Sequence, residues 1–242
     1  IAGRKKNESK ALEWYARIPK SNQHYLEAQL ATANIIAHTK NTNVAISMLA
    51  SLTELSSKQE VAVAQVQANL LAQDKRHQEA FELIKKTINA IPNTPQLIYD
   101  YAMAAERIGK LELMEHELRK VIQLQPDFPA AYNALGYSFA DRNTNLKEAK
   151  TLIETAHKLS PSDHYILDSL GWVEYRLGNY AVAAEHLRKA YSIQEDPEIS
   201  AHLGEVLWKQ GLQEEAKNIW GKALKAFPEN SILVSTSKKF NS

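Results

Sequence analysis

The chain has 242 residues with 29 basic and 28 acidic side chains, a formal net charge of +1, which gives no electrostatic basis for a nucleic-acid or anionic-membrane partner. It has no cysteine, which removes disulfides, thiolate metal sites and a cysteine nucleophile, and leaves the compartment open. Eight glycines and eight prolines are few for this length and suit long helices with short connections. The start, IAGRKKNESK, lacks the apolar stretch of a signal peptide and an initiator methionine, so the chain reads as a piece of a longer one. Its GRKK run reads as solvent-exposed chain rather than a targeting patch.

Residues 1–20 contain KALEWYARI, expected as the second helix of a helix pair whose first helix is missing, with Trp14 and Ile18 facing a partner that is absent or supplied by upstream sequence. Segment 21–60 is a degenerate pair without its closing proline. Segments 61–94 and 95–128 are clearer, with Ala68 and Ala102 where later units have glycine. Segments 129–163, 164–196 and 197–230 are the most regular. SILVSTSKKF, in 231–242, is expected to be a short capping helix whose outer face Lys238 and Lys239 help solvate.

One period runs through these segments. A small or apolar position recurs at Ala11, Ala45, Ala80, Met114, Ala149, Ala183 and Ala216, in steps of 34, 35, 34, 35, 34 and 33 residues. Pro92, Pro126, Pro161 and Pro228 follow at a fixed offset, with Pro197 close by in the remaining unit, where a second helix must end. Leu-Gly pairs fall at Gly136, Gly171 and Gly204. Those glycines and the Ala149 series allow helices to approach closely. Leu135, Leu170 and Leu203 fill the space around them.

The spacing and the motif residues Tyr132, Leu135, Gly136, Phe139, Ala149, Ala156 and Pro161 resemble the tetratricopeptide (TPR) repeat. Leu170, Gly171, Ala183 and Ala190 continue the resemblance, followed by Leu203, Gly204, Ala216, Trp220 and Pro228. It implies an all-α fold, a TPR superhelix of antiparallel helix pairs stacked as one continuous solenoid.

No phosphate-cradling glycine loop, HExxH or GxSxG motif appears, and neither a cofactor nor an enzyme activity is expected. His157 and His164 flank the turn SPSD beside Asp163, which reads as a solvated turn rather than a metal site. The acidic cluster around His116 reads as an exposed helix face.

In TPR units the first helix lines the concave groove. At 3.6 residues per turn, one stripe of that helix points into the pair and another lies roughly 140° round. The second stripe holds Tyr99, Met103, Asn133, Tyr137, Tyr165, Asp168, Trp172, Tyr175, Arg176 and Trp208, the candidate protein-binding groove. Tyr, Trp and Arg are frequent binding anchors, each worth ~2 kcal/mol or more when central. Tyr137 and Trp172 are expected on the groove wall. Tyr175 and Trp208 either line the groove or pack between successive first helices. The lysine–asparagine clamp with which some TPR domains hold a chaperone C-terminus has no lysine at its positions here.

The run from ALGYSFADRNTNLKEA through DSLGWVEYRLGNY to EISAHLGEVLW is similar to long proteobacterial TPR lipoproteins. That resemblance implies a non-catalytic adaptor on the periplasmic side of the outer membrane, held by an upstream lipid anchor. It also implies a protein or extended peptide as partner, such as a carboxyl-terminal processing protease or its substrates. A cytoplasmic location, a homodimerising structural module and a regulatory domain of a longer enzyme are the alternatives. No span crosses the membrane in this sequence, because no apolar run approaches the ~20 residues required.

Overall fold

The computed structural model describes residues 2–39 and 41–241. The side chains of residues 1–6 lie outside the described residues, and so does the reading of GRKK. Among the described residues there are 14 α-helices and no strand. The first unit spans residues 1–124 and the second 125–242.

In the first unit α1 (Ala2–Ala16) packs against α2 (Tyr25–Thr39), which pairs with α3 (Thr42–Ala50). The pairs α4 (Ser57–Gln73) with α5 (His77–Ala90) and α6 (Pro95–Arg107) with α7 (Leu111–Leu124) follow. The first helices α2, α4 and α6 are neighbours. α4 begins earlier than the expected repeat start at 61, because Ser56 and Gln59 form a capping box. In it Gln59 Oε1 accepts from Ser56 N at 2.9 Å.

The second unit repeats the plan. α8 (Pro129–Asp141) pairs with α9 (Leu146–Leu159), α10 (His164–Arg176) with α11 (Tyr180–Ile193), and α12 (Pro197–Lys209) with α13 (Gln213–Ala226). α14 (Ser231–Asn241) closes on α12 and α13.

The small positions do what their spacing implies. A Cβ added at Gly136 would lie 2.6 Å from Ile153 Cγ1 and 2.9 Å from the carbonyl of Ala149, so only glycine permits the approach of α8 to α9. Gly171 lies under Leu187 in the same way, and Gly204 under the indole of Trp220. Ala149, Ala183 and Ala216 are fully buried opposite them.

Pro92, Pro126, Pro161 and Pro228 lie in the turns after second helices. Pro197 has a different job. It is the first residue of α12, where a missing N–H costs nothing and the fixed φ starts the helix, as at Pro95 and Pro129. The turn inside each pair carries a period of its own. Lys75, Gly109, Asn143, Gly178 and Gly211 all have positive φ, a conformation that glycine and asparagine adopt at least cost.

Candidate protein-binding face

Helices α8, α10 and α12 lie side by side, and the expected groove stripe of the second unit falls on them. Trp172 is only 5% exposed there. The His202 ring stacks on its indole with centroids 4.0 Å apart and planes 19° from parallel, and Tyr175 stacks at 5.0 Å. The Arg176 guanidinium sits 4.6 Å from the indole centroid. Trp172 has left the interior of its own pair, as its position one residue past Gly171 requires, but it does not stand on an open wall. The next first helix supplies His202 to cover it.

Asp168 is corrected for the same reason. It is 5% exposed, and both carboxylate oxygens lie 3.0 Å from His202 Nδ1. Burial alone would pull the His202 pKa down. The adjacent Asp168 carboxylate more than offsets this and holds it above the usual histidine value.

Tyr137, half-buried on α8, donates its hydroxyl to Glu198 Oε1 at 2.6 Å, and Tyr175 donates to Glu205 Oε1 at 2.8 Å. Burial, reinforced by these carboxylates, pushes both phenol pKa values up, so both tyrosines remain protonated donors. Lys239 of α14 reaches Glu205 at 3.2 Å. Arg176 donates from an Nη to the Asp141 carbonyl at 2.8 Å.

Trp208 stacks on Trp220 of α13 at 5.9 Å and meets Phe240 of α14 with tilted rings 5.8 Å apart, so it follows the alternative of packing between successive first helices only through Phe240, and its other partner belongs to its own pair. Tyr175 also follows that alternative through Trp172 and Glu205. Asn133 is half-buried, with its Oδ1 unpartnered among the described residues. Tyr165 alone of these aromatics is widely open, at 54% exposure, with its ring 4.1 Å from that of His164. Asp163 nearby caps α10 by accepting from Tyr165 N and Ile166 N, a structural task for a residue of the SPSD turn.

The corresponding face of the first unit is open. Helices α2, α4, α5 and α6 line a cavity of about 560 Å³, in which Tyr99 and Met103 stand with Gln65, Asn69, Gln96, Asp100 and Arg107. An adjoining cavity of about 380 Å³ shares Val66, Asn69 and Arg107 and continues over Asn34 and Gln73. Burial raises the Asp100 pKa, against hydrogen bonds from Gln65 and Gln96 that favour the charged form. Asp100 and His202 lie off the stripe, and Gln65, at the repeat position of Asp168, is not among the candidate residues. They become visible once a residue is paired with the one a repeat later on the adjacent first helix: Gln65 with Asp100, Asp168 with His202.

No group of three or more His, Asp or Glu side chains among the described residues could hold a metal ion. No helix among them is long and apolar enough to cross a membrane.

Residues 140–198 and 169–231 each match the tetratricopeptide repeat model. Those matches place tetratricopeptide repeats in residues 140–231, and the all-helical paired fold of the described residues is that of a tetratricopeptide-repeat solenoid, a repeat class that binds protein partners. Among individual proteins, the chain is similar to TPR repeat-containing protein PA4667 of Pseudomonas aeruginosa. The two are 36% identical over 205 residues, which is 85% of this chain and 35% of that protein. The chain thus spans about a third of that relative's length. A thermophilic TPR protein of Thermus thermophilus, TTC0263, shares the fold with a TM-score of 0.66 at 20% identity, over 76% of this chain and 98% of that one. The Cut9–Hcn1 tetramer of APC/C contains a similar fold, with a TM-score of 0.74 at 15% identity, over 97% of this chain and 46% of its own.

Proposed function

We propose that this chain is a non-catalytic scaffold that binds protein or peptide partners along the face formed by its first helices. The observation that carries this reading is the open cavity around Tyr99 and Met103 on α6, which joins apolar and polar side chains on a repeat fold whose class binds proteins. In the second unit the equivalent stripe offers the exposed Tyr165 ring and, beside the buried Trp172, the Arg176 guanidinium. The C-terminal run resembles proteobacterial TPR lipoproteins, and the Pseudomonas relative is a longer TPR protein. On that basis the intact protein is proposed as an adaptor on the periplasmic face of the outer membrane, with a processing protease or its substrates as partner.

A photo-crosslinking amino acid at Met103 tests the reading, with Glu82, exposed on α5, as control. The longer protein, expressed in its own cells, is expected to give discrete adducts from Met103 and none from Glu82, and to fractionate with the outer membrane. Equal adduct patterns from both positions sink the face assignment. A cytosolic fraction sinks the location.

Self-association through α1 is a second reading, supported by Trp14. Its indole is 65% exposed, with the Arg17 guanidinium 5.1 Å from its centroid. Light scattering over a concentration series separates a dimer from a monomeric adaptor.

A further inference from the structure

The cavity of the first unit has a chemistry that narrows what fits it. Gln65 on α4 and Gln96 on α6 donate their amide N–H groups to different oxygens of Asp100, at 2.5 and 3.1 Å. A carboxylate only accepts, so Asp100 fixes the orientation of both amides and leaves their carbonyl oxygens as acceptors on the cavity wall. Asn69, one turn beyond Gln65 on the same face of α4, adds a further donor and acceptor and is exposed.

Arg107, at the end of α6, borders both adjoining cavities. It exerts a through-space pull on Asp100, yet it makes no hydrogen bond or ion pair among the described residues. Leu30, Val66 and Met103 supply apolar lining. The site therefore combines oriented acceptors, an adaptable amide, an available guanidinium and an apolar patch.

We propose that this trough binds an extended peptide segment bearing a carboxylate, which sits on Arg107 while backbone N–H groups reach Gln65 and Gln96 and an aliphatic side chain lies against Met103. This rests on the scaffold reading above and names the partner's chemistry. An extended chain fits because its backbone N–H groups are free, whereas in a helix most are already bonded. The charge fits because an acidic group meets the unpaired Arg107, and guanidinium–carboxylate pairing is bidentate and strong. The reach fits as well. Three first helices spaced about 8–10 Å apart present roughly 16–20 Å of trough, the span of about five or six extended residues.

The test uses the full chain and two pools of fluorescein-labelled, C-terminally amidated heptapeptides, alike except for Asp or Asn at one central position. Fluorescence anisotropy measures affinity, and NMR of the Arg107 Nε–H and the Gln and Asn side-chain amides locates the site. The Asp pool is expected to bind about tenfold more tightly, the worth of one charge-assisted hydrogen bond. It is also expected to shift the resonances of Arg107, Asn69 and Gln96. Arg107→Ala is expected to abolish the difference between pools with an unchanged melting curve, and Gln65→Leu to weaken both pools. Equal affinity of the two pools overturns the proposal. Shifts confined to α8, α10 and α12 overturn it too, but leave the scaffold reading standing. No binding of either pool to any face overturns both.

Discussion

The two units use the same pair of repeat positions for opposite ends. In the second unit, Asp168 on α10 meets His202 on α12, and the pair is buried under the stacked Trp172. In the first unit, Gln65 on α4 meets Asp100 on α6, and the pair borders an open cavity. One cross-repeat hydrogen bond closes a face with aromatic rings. The other organises amides around a space. The difference lies in what flanks the pair: Trp172, Tyr175 and Arg176 in one unit, Val66, Asn69 and Met103 in the other.

That contrast can be broken most forcefully at Gly204. Gly204→Val drives a side chain into the Trp220 indole and is expected to destabilise the second unit by about 3 kcal/mol, the upper end of ordinary overpacking. Urea unfolding followed by far-UV circular dichroism measures it. A loss below about 0.5 kcal/mol would mean that α12 and α13 are less tightly apposed than described.

Asp168→Asn comes next, with an expected loss of about 2 kcal/mol from weakening a buried charge-assisted hydrogen bond. The sign with pH follows from the raised His202 pKa. The stabilisation is fully present below the unfolded histidine value of about 6.5 and is lost as pH rises through the folded value. Glu198 and Asp141 also favour the charged ring. Unfolding of the parent chain at pH 6 and pH 8 is therefore expected to show lower stability at pH 8, with a flatter profile in Asp168→Asn. The same slope in both chains would remove His202 from the account.

A smaller effect is expected at Tyr175→Phe, which deletes the hydroxyl donated to Glu205 at a cost of about 1 kcal/mol. In the first unit, Met103→Ala and Arg107→Ala touch an open rim. They are expected to stay within about 0.5 kcal/mol of the parent while changing peptide binding. Melting curves of these variants sharpen the comparison, because a large loss at Met103 would make that face structural as well.

The paired-helix fold was legible in the sequence because steric demands repeat. A glycine under Ile153, Leu187 or Trp220, with a buried alanine opposite it, recurs in each helix pair of the second unit. The candidate face was harder to read. Helical geometry correctly takes Trp172 out of its own helix pair, but gives only a direction, and the covering His202 belongs to the following repeat. Trp208 was ambiguous on the same grounds, since its partners Trp220 and Phe240 lie on later helices. Tyr99 and Met103 stayed accessible because Gln65 and Asn69 on the adjacent helix leave the space beside them unfilled. Pro197 looked like a displaced helix terminator because an offset alone does not distinguish a helix end from the next helix start.

The central claim, that the face around Trp172 in the second unit is structural while the face around Tyr99 and Met103 in the first unit is open, is tested most directly by native-state hydrogen exchange on Trp172→Ala. Truncating a buried tryptophan costs about 3–5 kcal/mol. Amides of α10 and α12 are therefore expected to lose protection by up to that amount, while those of α4 and α6 keep theirs. Unchanged protection along α10 would contradict the account and return Trp172 to an open binding wall.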